Sequence, residues 1–333
     1  MFYKKEDSGS IRCELCPHRC IIAENSCGRC GVRKVYGNEL YALNYGLCAA
    51  AASDPVEKKP LYHFYPGRMI LSLGTFGCNF KCLFCQNWSL ARNSIQPNSG
   101  MLFKRPEDIL KMLEKEHPAP VGIAYTYNEP AVWFEYVLDT AKYLKDYGYK
   151  NVLVTNGFIS REALKALIPY IDAMNVDVKA FNNDFYRDYC SGNIHAVKET
   201  VEYCFRRCHL EVTYLVIPTL NDSMEEVGSF IDWLASLDPR IPVHFSRYFP
   251  SCELNLPPTP VDTLTAVREK ALEKLQYVYI GNLGGGNPYA NTYCPFCNNR
   301  IIIREIYNAV ADGIDSKNRC FKCQNEIFIV NGL

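Results

Sequence analysis

Cys78, Cys82 and Cys85 stand in the stretch LSLGTFGCNFKCLFCQNW (71–88) at the spacing Cys-x3-Cys-x2-Cys, directly after an apolar, strand-like run. Thiolates are soft ligands for zinc and for iron–sulfur clusters, so this loop is where chemistry is first expected. A [4Fe-4S] cube has four irons, and three cysteines in one tight loop leave one iron without a protein ligand. That iron can take a small molecule, whereas clusters that only carry electrons usually have four cysteines. Half a zinc site or a set of buried thiols would suit a lone Cys-x2-Cys better than this loop, which contains no obvious fourth ligand.

Two further cysteine groups flank it. Near the start, CELCPHRCIIAENSCGRCGVR places Cys13, Cys16, Cys20, Cys27 and Cys30 close together. The pairs Cys13/Cys16 and Cys27/Cys30 have the spacing by which two knuckle turns present four sulfurs to one tetrahedral zinc. Cys20 is then a fifth thiol and His18 a further candidate, which leaves zinc and a second iron–sulfur cluster both open. A site that only folds a short segment with little core of its own is the plainer role. Near the end, CPFC and CFKC present Cys294, Cys297, Cys320 and Cys323 as two knuckles separated by a hairpin-length spacer, a zinc-ribbon pattern. The chain has 17 cysteines. Their grouping, and an N-terminus (MFYKKEDSGS) without the apolar core of an export signal, favour metal ligation over disulfides and a reducing, low-oxygen setting.

The elements that must position these groups follow a regular alternation. Strand-like runs fall at 69–74, 121–127, 151–156, 173–179, 210–217 and 243–249. Helical spacing lies between them, as in Trp133, Val137, Ala141 and Leu144, or Ile231, Leu234 and Leu237. Ser160 and Asp222 read as helix caps. Six strand–helix units in series predict an α/β fold, a partial (β/α)6 barrel with a parallel sheet and right-handed crossovers. The expected division is a cysteine-rich segment over 1–60, the barrel over 61–283 and a zinc-ribbon-like segment over 284–333. Residues 53–67, SDPVEKKPLYHFYPG, read as a proline-rich linker whose Asp54, Glu57, Lys58 and Lys59 form a solvated face, cap the barrel or touch substrate.

In parallel barrels the chemistry sits at the C-terminal ends of the strands. The second strand ends at Tyr127-Asn128-Glu129-Pro130, where Glu129 is placed to accept from an ammonium group or to cap the next helix. The third ends at Thr155-Asn156-Gly157, whose polar side chains can reach a ligand. The fourth carries Asp177 and Lys179 on one face, a pair suited to a carboxylate ligand. On the sixth, His244 alternates with Phe245. Asn221 and Asn282 are weaker candidates, and Tyr125, Tyr127, Tyr214 and Tyr248 are candidates for substrate contact or radical relay.

With 333 residues and 48% hydrophobic content the chain can bury a large core. Its formal net charge of +0 gives no overall electrostatic case for nucleic acid or an anionic membrane. No run approaches the roughly 18 apolar residues of a membrane helix, so a cytoplasmic location is expected.

Taken whole, the chain resembles the radical-SAM enzymes of the AmmeMemoRadiSam system, akin to pyruvate formate-lyase and other glycyl-radical-enzyme activases. The resemblance rests on CELCPHRC, CGVR, DPVEKKPLYHFYPG, the loop ending in CQNW with Phe84 before its third cysteine, YTYNEP, VTNGF, NVDVKAF, HFSRYFP, CPFC and CFKC. It implies a [4Fe-4S] cluster on Cys78, Cys82 and Cys85, with the amino and carboxylate groups of S-adenosylmethionine (SAM) on the open iron. It further implies SAM contacts from Glu129, Thr155, Asn156, Asp177, Lys179 and His244, and an N-terminal ligand set of Cys13, Cys16, Cys20 and Cys30 with Cys27 left over. Val154 departs from the activases, which usually carry aspartate there, so their cation site is not expected here. The implied activity is reductive cleavage of SAM to a 5′-deoxyadenosyl radical that takes hydrogen from an unidentified substrate, a protein or peptide by likeness to the activases. A flavodoxin or ferredoxin would supply the electron. The alternatives are a radical methyltransferase or small-molecule enzyme and, from another class, a noncatalytic metal-binding interaction module.

Overall fold

The apolar runs assemble into one open sheet of eight strands. In the computed structural model, which describes residues 2–92, 102–306 and 308–330, the spatial order is Ala50–Pro55, Met69–Gly74, Gly122–Tyr125, Lys150–Thr155, Ala173–Val178, His209–Val216, Val243–Arg247 and Val278–Gly281. The last seven run parallel, each beside the next in sequence, which is the order that serial strand–helix units produce. The six expected strands are all present, and the structure adds one at each edge. Val278–Gly281 has only four residues, too few for periodicity to register. Ala50–Pro55 pairs antiparallel with the first parallel strand, Ala50 opposite Gly74 and Pro55 opposite Met69. Its proline and aspartate disguise it, and an edge is where a sheet tolerates them.

Helices cover the strands with their apolar stripes. Phe134–Asp146 buries Val137, Ala141 and Leu144, and Met224–Leu237 buries Phe230, Ile231 and Leu234. Ser160 caps the Arg161–Leu167 helix, its hydroxyl accepting from the Ala163 amide. The cap of Met224–Leu237 is Ser223 and not the expected Asp222, whose carboxylate instead accepts from the Thr219 amide at 2.9 Å. No helix among the described residues is long and apolar enough to cross a membrane.

Residues 53–67 are not a solvated linker. Asp54, Glu57 and Lys59 are all buried, which charged groups tolerate only when paired. Asp54 receives Lys59 at 2.8 Å and the exposed Lys58 at 3.0 Å. Glu57 accepts from the Gly67 amide at 2.9 Å and faces Arg304 at 3.7 Å. This segment is thereby clamped between the sheet edge and the C-terminal segment.

Under it lies a buried network that no local pattern announces. The Glu211 carboxylate accepts from the amides of Tyr62 (2.9 Å) and His63 (2.7 Å), and its oxygens contact His209 (2.9 Å) and His244 (2.7 Å). Burial would raise its pKa, but the two histidines outweigh that and hold it well below the ordinary value. Burial also pushes His63 down to about 3 from 6.5, so it stays neutral in the fold. Below 6.5 the unfolded chain therefore binds a proton that the folded chain does not, and stability falls with pH, by at most about 1.4 kcal/mol per unit for this one group. Glu211 acts in the same direction once the pH drops below its unfolded value of 4.5. The urea midpoint is expected to decline from neutrality toward pH 5, and His63→Asn to lose part of that slope. Equal slopes in the two proteins would show that another group, such as a metal site, sets the acid sensitivity.

Candidate active site

The ends of the parallel strands converge on a cavity of about 300 Å³. Cys78, Cys82 and Cys85 line it together with Glu129, Thr155, Asn156, Asp177 and Lys179. Seven of the eight arrive from two strand ends and the cysteine loop, and Glu129 from a third strand end, so the sheet does the gathering.

The cysteine loop is held by backbone geometry and by asparagines. Gly77 adopts φ +83°, and a Cβ there would lie 2.5 Å from the Cys30 carbonyl oxygen and 2.7 Å from Val32, so only glycine fits. Asn128 accepts from the Thr75 amide at 3.0 Å and donates to the Gly77 carbonyl at 2.7 Å. Asn156 donates to Asn79 at 2.9 Å, and Asn79 in turn donates to the Phe158 carbonyl at 2.7 Å. The Phe80 amide donates to Cys78 Sγ at 3.4 Å. Burial and the nearby Glu129 carboxylate raise the Cys78 thiol, contact with the Cys190 thiol and burial raise Cys82, and burial raises Cys85. Three thiols with this cost of ionisation suit a cationic iron group, whose charge restores what desolvation removes from a thiolate.

Glu129 fills the expected capping role and keeps an acceptor position for the other. It caps the turn Pro130–Trp133 by accepting from the Ala131 amide at 2.9 Å, and it accepts from the Thr155 hydroxyl and the Asn156 amide, each at 2.7 Å. Two carboxylate oxygens offer about four acceptor positions, so three donors leave one for a ligand. Burial raises the carboxyl to about 7 despite those bonds, and a ligand cation is what would return it to the charged form. Across the cavity Lys179 Nζ sits 2.7 Å from Asp177. Burial opposes its charge, but Asp177 and Cys82 outweigh it and keep the ammonium protonated.

His244 does not line this cavity. Its ring is buried against Glu211 and Tyr62 and faces an adjoining cavity of about 520 Å³. Asn221 is structural, donating to the carbonyls of Lys179 and Leu215. So are Tyr125 and Tyr214, whose hydroxyls are occupied by Asn151 and by Asn221 and Glu226. Tyr248 and Asn282 do line the first cavity, while Tyr127, Thr126, Thr213, Ser246 and Asn282 are shared by both. Sequence reasoning missed Asn79, Asn128 and Thr213 as site residues. The asparagines flank motif residues, which was the available signal, and Thr213 had none.

The C-terminal thiols form a second kind of site. Cys294 and Cys323 lie 3.5 Å apart, Cys297 and Cys320 3.7 Å apart, and all four sulfurs fall within 4.8 Å of one another. Tetrahedral zinc with Zn–S of about 2.3 Å puts its sulfurs roughly 3.8 Å apart, so the four fit a single ion. Bonds from Asn325 push the Cys323 thiol down to about 6, which favours the thiolate a metal needs. Cys13, Cys16, Cys20 and Cys30 line a small cavity of their own, and Cys27, which the Cys-x2-Cys spacing would include, does not line it and is exposed.

Comparisons with known proteins agree with this geometry. The profile of the radical SAM superfamily matches residues 72–233. A Methanocaldococcus jannaschii protein of uncharacterized role is 41% identical over 99% of this chain and 98% of its own length. Another from the same organism, provisionally named a glycyl-radical enzyme activating enzyme, is 26% identical over 62% of this chain and 79% of its own. Among solved structures, Streptococcus suis SuiB bound to S-adenosylmethionine superposes with a TM-score of 0.51 at 14% identity, over 68% of this chain and 53% of that one, a likeness of fold.

Proposed function

The chain belongs to the radical SAM superfamily, an enzyme class that uses a [4Fe-4S] cluster, SAM and a one-electron donor, and from that premise we propose that Cys78, Cys82 and Cys85 hold the cluster and that the 300 Å³ cavity takes SAM. The observation that carries this reading is that one cavity is lined at once by the three thiols, by the buried carboxyl of Glu129 and by the Asp177–Lys179 pair. When bound, the reduced cluster supplies one electron to the sulfonium of SAM, giving methionine and a 5′-deoxyadenosyl radical that removes a hydrogen atom from substrate.

The chain's own groups bind and orient. Glu129 offers its remaining acceptor position to the amino group, and Thr155 and Asn156 fix its rotamer through the bonds already given. Lys179 offers its ammonium to the carboxylate. Asn156 and Asn79 hold the cysteine loop at the mouth. His244 acts at one remove, by setting Glu211 and the wall of the adjoining cavity.

That adjoining cavity, lined by Asp54, Lys59, Tyr62, His244 and Arg304, shares residues with the first, so its occupant lies beside the radical. We assign it to the substrate. A peptide segment follows from the likeness to activases, and its volume also suits a small molecule, the second reading. Membership of the AmmeMemoRadiSam branch, a cytoplasmic location, a flavodoxin or ferredoxin donor, zinc on Cys294, Cys297, Cys320 and Cys323, and a division at 1–60, 61–283 and 284–333 belong to the same proposal. The interaction-module alternative has no use for the convergent polar set around the cysteine loop.

The test is anaerobic reconstitution, reduction with dithionite and addition of SAM, with detection of 5′-deoxyadenosine. The wild-type protein is expected to form it, and the Cys78→Ala, Cys82→Ala, Cys85→Ala protein to form none. An intact reduced cluster that neither binds nor cleaves SAM would sink the proposal.

A further inference from the structure

We infer that Cys13, Cys16, Cys20 and Cys30 hold a second [4Fe-4S] cluster, set directly behind the loop that carries Cys78. The four thiols line a single cavity with Leu15, Ile22, Ala131 and Val132. Their spacing decides between a single ion and a cluster. A zinc ion with Zn–S of about 2.3 Å cannot hold sulfurs more than about 4.6 Å apart. Among the described residues, the C-terminal four are the one group of three or more ligands whose atoms all lie within 4.8 Å, so no three of these N-terminal sulfurs are that close. In a cube each sulfur binds a different iron, and the sulfurs stand roughly 6 Å apart around the core. His18, Arg29 and Arg33 also line this cavity. Gly28 keeps it open, since a Cβ there would stand 3.1 Å from Ile22 and 3.7 Å from Cys20 Sγ.

A second, independent observation is Arg33. Its side chain is 2% exposed and lines the same cavity. Glu135 takes its two terminal nitrogens at 2.8 and 2.6 Å, while the buried Nε has no hydrogen-bond partner. An orphaned buried N–H is costly, and the cluster's sulfurs are acceptors that would satisfy it while the guanidinium offsets the cluster's negative charge.

The position gives the cluster its relation to the first. His18 lines the cavity and its Nε2 meets the carbonyl of Asn79 at 2.7 Å. The Cys30 carbonyl lies against Gly77. Both neighbours of Cys78 therefore touch this site, and an electron held there is next to the cluster that SAM cleavage requires to be reduced, a consequence that rests on the function proposed above.

The experiment compares anaerobically reconstituted wild-type protein with a Cys16→Ser/Cys20→Ser variant and with the Cys78→Ala, Cys82→Ala, Cys85→Ala protein, measuring iron, sulfide and zinc and recording EPR after reduction. The wild type is expected to hold about eight irons per chain and each variant about half of that. The reduced wild type should also show magnetic broadening from two neighbouring spins, which both variants lack. About four irons in the wild type, none in the triple-alanine protein, and a second zinc would overturn the inference. If the serine variant does not fold, iron and sulfide retained by the triple-alanine protein decide the matter alone. Failure of SAM cleavage at full iron content would instead count against the proposed function and leave this site standing.

Discussion

Replacing Lys179 with methionine is expected to weaken SAM binding by roughly 30- to 3,000-fold, the range for removing one charge of a buried ion contact. Lys179 is unusually well set for that role. Its amide donates to the Tyr186 hydroxyl at 2.9 Å and its carbonyl accepts from Asn221 at 2.7 Å, so the backbone below the ammonium is fixed on both sides. Asp177 at 2.7 Å then holds the side chain over the cavity, and little ordering remains to be done on binding. The substitution also leaves Asp177 without its partner. Because both side chains keep some solvent contact, 17% and 30% exposed, that part of the loss should be only about 1–2 kcal/mol of stability. The double variant Lys179→Met/Asp177→Asn separates the two effects, since it relieves the orphaned carboxylate without restoring an ammonium. Its urea midpoint should return toward wild type while its SAM affinity, measured by equilibrium dialysis, stays low. A single variant that binds SAM within threefold of wild type would falsify the carboxylate role.

What could be read from the sequence was whatever depends on neighbours along the chain. Leu71 and Leu73 mark a strand, the cysteines follow it at cluster spacing, and Asp177 and Lys179 share a face because side chains in a strand alternate. The strand ends were therefore legible as a site. Long-range pairing was not. Glu211 looks like one charge in an apolar strand, and only the fold brings Tyr62, His63 and His244 to it, which is why His244 read as a ligand contact when its nitrogen is spent on Glu211 at 2.7 Å. The same blindness made Asp54, Glu57 and Lys59 look solvated, since Arg304, the partner of Glu57, arrives from the far end of the chain. Cys27 shows the limit from the other side. Its spacing to Cys30 is that of a metal knuckle, yet the turn leaves it exposed while Cys20 lines the cavity.

Removing the metal assigned to Cys294, Cys297, Cys320 and Cys323 is expected to unfold the C-terminal segment and to abolish substrate turnover while sparing SAM cleavage. The segment has a small core, Ile301, Ile302, Ile314, Ile327 and Ile329 packed on Tyr62, Tyr277 and Tyr279, and a set of that size contributes too little against its ordering entropy to stand alone. A structural zinc site supplies about 10–16 kcal/mol of apparent binding free energy, which at a site of this kind is folding free energy. The loss should travel through Arg304. That guanidinium donates to the carbonyls of Tyr62 (2.6 Å) and Ala290 (2.9 Å) and to Thr292 (2.7 Å), and it lies 4.2 Å over the Tyr62 ring. Once the segment loosens, the cavity assigned to substrate loses Arg304 and the Gly284–Gly285 rim, whereas Cys78, Glu129, Asp177 and Lys179 keep their places in the barrel. Hydrogen exchange should accordingly rise across 300–305 and at Tyr62 in a Cys297→Ser/Cys323→Ser variant. Deoxyadenosine formation without substrate should persist, because none of the groups to which SAM binding is assigned lies on the segment that is lost. A metal-free chain with an unchanged melting curve and unchanged exchange would instead mean that the isoleucine core suffices, and that the four sulfurs serve some purpose other than folding.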